Sequence, residues 1–179
     1  MIREIKSTDR AEILKILSDT QMFTTAEIRV AMELIDTALT KPNQTDYLIF
    51  VAINGQKLAG YVCYGPTPAT EGTFDLYWIA VAPQVQGKGI GTKLLHCALR
   101  QLDPQQEVSV VTFQKDYAPG AAARQLYLRA GFVETDEKIA DAKGNPRCRM
   151  ILAQEDRKRG GSLHELYPQY ARWADPVYC

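Results

Sequence analysis

The stretch Val81–Leu95, VAPQVQGKGIGTKLL, places glycines at 87, 89 and 91 immediately ahead of Ile90, Leu94, Ala98 and Leu102, which are spaced as one face of a helix. Before it, FDLYWIAVA (74–82) is a strand rich in aromatic and branched residues, and Pro83 stops it. Strand, glycine-rich turn and helix start together make an anion site. The first N–H groups of a helix have no intrahelical acceptor, the dipole favours negative charge, and glycines let a phosphate approach the amides. The same glycines would also serve a merely tight strand-to-helix connection, so the turn alone leaves both uses open. Two phosphate loops are excluded by spacing. A dinucleotide fingerprint needs G-x-G-x-x-G where this chain has G-x-G-x-G, and a P-loop needs Gly-Lys followed by Ser or Thr, whereas Gly89 follows Lys88.

Outward from this stretch the elements alternate. MIREIK has the apolar–polar alternation of a half-buried strand, and Ser7 offers an N-cap for a helix carrying Ile13, Ile16 and Leu17. Thr24 and Glu27 form a capping box for a second helix with Ile28, Met32, Ile35 and Leu39 on one face, ended by Pro42. YLIFVAINGQKLAGYVCYG is a hairpin whose Asn54-Gly55 suits a type I′ turn. After the helix at 90–102, Asp103-Pro104 turns the chain into the strand EVSVVTF. The helix GAAARQLYLRA then runs to Gly131, and two strands near 132–140 and 147–153 flank DAKGNPR. The order β-α-α-β-β-β-α-β-α-β-β, with an antiparallel meander in its first half, is an α/β chain of the α+β type. It predicts a mixed, mostly antiparallel sheet of about seven strands and about four helices.

Composition narrows the function. The chain of 179 residues suits one domain, read as 1–154, with 155–179 as an extension whose Leu163, Leu166, Tyr167, Tyr170 and Trp173 dock on the domain or across a dimer interface. Lys plus Arg (21) balance Asp plus Glu (21), so no net field draws nucleic acid or an anionic membrane. Cys63, Cys97, Cys148 and Cys179 are far apart and lack metal-ligand spacing, which argues for reduced thiols, no disulfide scaffold and no metal. With no run of signal-peptide or membrane-spanning length, the reading is a soluble cytoplasmic protein.

Gln86-Gly87-Lys88-Gly89-Ile90-Gly91 resembles the Q/R-x-x-G-x-G/A signature of the GNAT superfamily, the acyl-CoA-dependent N-acetyltransferases, with Gln86, Gly89 and Gly91 in the defined positions. AARQLYLRAGF is similar to that family's fourth helix and following strand, at the expected separation, and the element order matches through about residue 153. The resemblance implies the GNAT fold and acetyl-CoA as co-substrate. Its pyrophosphate would lie on the amides of Gln86, Gly87, Lys88, Gly89, Ile90, Gly91 and Thr92, and its pantetheine arm along the backbone of Ile79, Ala80 and Val81. The match departs at the start of the fourth helix, where Gly120 stands in place of the family's Asn.

Acetyl transfer to an amine needs an uncharged nucleophile, a stabilised oxyanion and a proton for the departing thiolate. By the resemblance Tyr127 is the acid; spacing alone favours a core aromatic beside Leu126 and Ala130. Asp75, six residues before Val81, holds the position of the base in the histone-acetylating branch, and the alternative is an exposed sheet face. Glu71 is the reserve carboxylate and Tyr77 lines the acceptor pocket, which the family builds from segments corresponding to 20–40, 64–77 and 136–148. The acceptor is a small-molecule or peptide amine attacking directly in a ternary complex. A non-catalytic acyl-CoA-binding or regulatory module is the competing class. His96 and His164 read as packing or surface residues, and no acyl-cysteine route is supported by a local base.

Overall fold

The computed structural model describes residues 1–41, 43–140 and 144–153, with the backbone alone at Lys138. Its elements are β1 (Ile2–Glu4), α1 (Arg10–Asp19), α2 (Thr25–Thr40), β2 (Leu48–Asn54), β3 (Lys57–Pro66), β4 (Thr73–Val81), α3 (Ile90–Arg100), β5 (Glu107–Phe113), α4 (Ala121–Arg129), β6 (Val133–Ala140) and β7 (Pro146–Leu152). They form one 7-stranded sheet in the order β1-β2-β3-β4-β5-β7-β6. Every neighbouring pair is antiparallel except β4–β5, which needs the α3 crossover that parallel strands require.

Two apolar layers cover the sheet. On one face Leu94, Leu95, Ala98 and Leu99 of α3 and Tyr127 of α4 pack on Val62, Leu76, Val108 and Met150. On the other, Ile13 and Leu17 of α1 and Met32 and Ile35 of α2 pack on Val51, Tyr61 and Cys63. This second apolar layer reaches Tyr77, Trp78 and Ala80 but includes nothing from β5, β6 or β7; α2 meets β7 through the Glu27–Arg147 ion pair at 3.1 Å, so the apolar cover of α1 and α2 extends over only part of their face.

Several local expectations hold and some shift. Thr24 and Glu27 form the capping box, each side chain bonded to the other's backbone N–H. Ser7 does not cap α1. It opens a short 3₁₀ turn, Ser7–Asp9, in which Asp9 accepts from the Lys6 amide at 2.7 Å and takes a two-pronged ion pair from Arg3. In the β2–β3 hairpin Asn54 pairs with Lys57, so Gly55 and Gln56 are the central residues. Only Gly55 has positive φ (65°), the pattern of a type II′ turn rather than I′. Leu102 lies past the end of α3 yet is buried. Pro42 and the extension at 155–179 lie outside the described residues.

Candidate active site

The sheet opens into a fork. β4 and β5 pair from Thr73↔Glu107 to Leu76↔Val110 and no further. Beyond that rung β5 continues along β7, as Val111↔Arg149 and Phe113↔Arg147, while β4 continues along β3 to Val81↔Gly60. Tyr77 is an extra residue opposite β3, because Cys63 pairs with Trp78 and Tyr64 with Leu76. A bulge re-aims the strand and its backbone groups. The inner edge of β4 from Tyr77 to Val81, which includes Ile79 and Ala80, therefore has no strand partner on the β5 side among the described residues.

The glycine loop sits at the open end of this fork. Ala82 donates to the Ala59 carbonyl at 2.8 Å, and the Gln86 side chain donates to the Val81 carbonyl at 3.0 Å, fixing the loop to β4. Gly87 and Gly89 have φ of 75° and 76°, a left-handed conformation that side chains resist. The first amide of α3 to find an acceptor is that of Lys93, on the Gly89 carbonyl at 3.1 Å; those of Gly87, Lys88, Gly89, Ile90, Gly91 and Thr92 meet none among the described residues. A Cβ at Gly91 would lie 3.6 Å from both Leu126 and Val81, so the helix start is close-packed between α4 and β4. Lys88 is exposed.

Tyr127 is buried in the layer that contains α3, its ring edge-on to Phe132 at 5.5 Å. Burial raises its pKa well above the usual phenol value, and its hydroxyl finds no acceptor among the described residues. Gly120, the N-cap of α4, leaves no room for a larger residue: a Cβ there would lie 2.2 Å from the Phe113 ring. Phe113 also stacks on Tyr117 and lies under the Arg147 guanidinium, 3.7 Å from the ring centre.

On the other face of the fork, Asp75 is opposite Ser109, whose hydroxyl donates to its Oδ1. Arg149 Nη1 donates to Ser109 Oγ at 2.9 Å and lies 3.8 Å from Asp75 Oδ1, while its Nε donates to Glu137 at 2.6 Å. Tyr77 shares this face. Its hydroxyl donates to the Pro66 carbonyl at 2.8 Å, its ring is edge-on to Tyr47, and burial, reinforced by the Asp75 charge, pushes its pKa up to about 12. Gly65 makes this corner possible, since a Cβ would sit 1.9 Å from the Asp46 carbonyl. Glu71 is exposed in the β3–β4 turn, and no bond joins it to this group.

The fork thus brings together the loop, the β4 edge, Asp75 and Tyr77, with Tyr127 in the layer behind. Sequence reasoning missed Ser109, Arg149 and Glu137. The available signals were a serine among the apolar residues of EVSVVTF and two arginines at alternate positions of a strand in RCRM. His96 is half-buried on α3, and burial lowers its pKa. Cys63, Cys97 and Cys148 are buried free thiols, with burial pushing Cys63 up. Among the described residues no helix is long and apolar enough to cross a membrane.

A sequence profile of the acetyltransferase (GNAT) domain matches residues 45–134, half of the chain. A GNAT-family protein from Desulfovibrio desulfuricans shares 34% identity and a TM-score of 0.74 over 86% of this chain and 98% of its own. The ribosomal-protein-S18-alanine N-acetyltransferase of Escherichia coli has a TM-score of 0.65 at 20% identity, over 85% of this chain and 92% of its own. The PaiA N-acetyltransferase of Thermoplasma acidophilum, in complex with coenzyme A, has 0.62 at 15%, over 83% and 96%. The last two establish likeness of fold alone. A search among curated proteins finds no match. The chain belongs to the GNAT acetyltransferase family and is an enzyme of that type.

Proposed function

We propose that this enzyme binds acetyl-CoA in the fork and transfers the acetyl group to a primary amine that attacks directly in a ternary complex. The observation that carries this reading is the run of unspent amides from Gly87 to Thr92 at the start of α3, beside a β4 edge left without a strand partner. A pyrophosphate suits the first feature, and an amide-bearing arm added like a strand suits the second. Acetyl-CoA supplies an activated acyl group whose thiolate leaves as the new amide bond forms.

The chain's own groups then divide the work. A β4 backbone N–H released by the Tyr77 bulge donates to the developing oxyanion. Asp75 accepts the proton of the amine: Ser109 fixes its Oδ1, and its Oδ2 has no partner among the described residues. Tyr127 is the acid, because burial keeps it protonated and its hydroxyl has no competing acceptor. Glu71 and Tyr77 border the acceptor side. Calorimetric titration with acetyl-CoA, followed by free-thiol release over a panel of amines, tests the reading. Absence of binding would reject the cofactor assignment, and binding without turnover of any amine would reject the transfer.

A further inference from the structure

The face of the sheet that α1 and α2 leave uncovered carries an organised group of charges beside the fork, built by an irregularity in β6. Glu134 pairs with Met150 and Lys138 with Cys148, so Thr135, Asp136 and Glu137 together stand opposite Arg149. The Thr135 hydroxyl locks this bulge by accepting from the Glu137 amide at 3.2 Å and donating to the Arg149 carbonyl at 3.2 Å. Its result is to turn the Glu137 carboxylate onto the Arg149 guanidinium. Ser109 holds the guanidinium from the other side, and the chain Glu137–Arg149–Ser109–Asp75 spans four strands.

Arg149 is thereby fixed by Nε and Nη1, while Nη2 meets no acceptor among the described residues. Its side chain remains 33% exposed, against 18% for Asp75. Arg149 is the β7 partner of Val111, the first β5 residue past the rung where the fork opens. Val111 itself is 43% exposed, an apolar surface in the middle of a sheet. A cation with a spare donor nitrogen, a carboxylate with a spare oxygen and a bare apolar side chain thus meet at the fork's mouth.

Resting on the acetyl-transfer reading above, we propose that Arg149 is a specificity-determining residue that selects acceptors carrying a carboxylate beside the amine, free α-amino acids being the simplest. Arg149 Nη2 takes the acceptor carboxylate, Asp75 Oδ2 takes its amine, and Val111 meets its side chain. A guanidinium suits this task because it can be held through two of its nitrogens and still present charged N–H donors to a carboxylate from the third. The signs agree with a zwitterion: a lysine side chain or a peptide N-terminus brings no adjacent anion for Nη2.

The test compares α-amino acids with the amines that remain when their carboxyl group is removed, by kcat/KM at saturating acetyl-CoA, in the wild type, Arg149→Met and Arg149→Lys. Wild type should favour the amino acid by about tenfold or more, since a group built to bind an anion discriminates against its absence. Arg149→Met should collapse that ratio toward one, and Arg149→Lys, a point charge on a single nitrogen, should restore part of it. Acetyl-CoA affinity, titrated in each variant, should not change. Equal use of both acceptors by the wild type, preference for peptide N-termini, or an unchanged ratio in Arg149→Met would overturn the inference. Acetyl-CoA binding without turnover of any amino acid would overturn it and leave the cofactor reading standing; absence of acetyl-CoA binding would overturn both.

Discussion

Asp75 and Ser109 face each other one rung before β4 and β5 part, and the Ser109 hydroxyl donates to the Asp75 carboxylate. The bond orients the carboxylate where the backbone ladder is about to end. Asp75→Asn keeps the size of the side chain but removes its capacity to accept a proton. It should lower kcat/KM by about 10²-fold, in the range of lost general base catalysis, with the melting temperature nearly unchanged. Ser109→Ala should cost about tenfold, through orientation alone. A large fall in melting temperature with normal turnover would make Asp75 a structural residue instead.

Residues whose signal is local were legible in the sequence. The capping box at Thr24 and Glu27, the glycine loop and the apolar stripe of α3 each depend on neighbours within a turn or two. The group around Arg149 was not, because it joins residues as distant in the chain as Asp75 and Arg149, across strands whose order only the fold sets. The β6 bulge was hidden for a related reason: VETDEK has no alternation that would mark three residues as lying opposite one. Asn54-Gly55 was read correctly as a turn but one register early, since Gly55 alone satisfies a type II′ turn.

The glycines of the loop separate strain from obstruction. Gly89→Val places a branched side chain at φ 76° and should destabilise the fold by about 1–2 kcal/mol as well as weaken acetyl-CoA binding. A Cβ at Gly91 makes only ordinary contacts, with Leu126 and Val81, so Gly91→Ala should leave the melting curve unaltered, whereas the longer side chain of Gly91→Leu would wedge between α4 and β4, displace the start of α3 with its amides and weaken acetyl-CoA binding by about tenfold. Unchanged affinity by calorimetry in both Gly89→Val and Gly91→Leu would remove the pyrophosphate from this loop.

Gly120 and Phe113 are matched in shape. Gly120→Asn, which restores the residue usual in this family, should destabilise the protein by about 1–3 kcal/mol rather than improve binding, because its Cβ would enter the Phe113 ring. Combined with Phe113→Leu it should cost less than the two single changes added together, a coupling that a double-mutant cycle of melting data reads directly.

Asp9 gives the fold an acid-sensitive clamp. Hydrogen bonding to Arg3, opposed in part by burial, holds its carboxyl below the usual value. A depressed folded-state pKa contributes stability that is complete above the unfolded value of about 3.9 and is lost as pH falls through the lower folded value. Asp9→Asn should therefore cost about 1–3 kcal/mol at neutral pH, and the gap to wild type should narrow below about pH 4. A gap independent of pH would mean that the Lys6 amide bond, not the ion pair, carries the effect.

The acid role proposed for Tyr127 is separable from packing. Tyr127→Phe keeps the ring against Phe132 and removes only the hydroxyl, so kcat should fall by about 10²-fold with acetyl-CoA affinity and melting temperature close to wild type. Because burial raises the phenol's pKa, the wild-type proton should stay in place beyond pH 10, the ordinary phenol value. Any alkaline decline of kcat below that pH must then come from another group. Stability follows the same sign: the buried neutral phenol favours the fold below about pH 10, and the advantage fades as pH rises toward its folded value. Phenylalanine, which does not titrate, should remove that part of the alkaline destabilisation. Wild-type turnover in Tyr127→Phe would assign the thiolate's proton to solvent and leave positioning and the β4 amide to account for the rate.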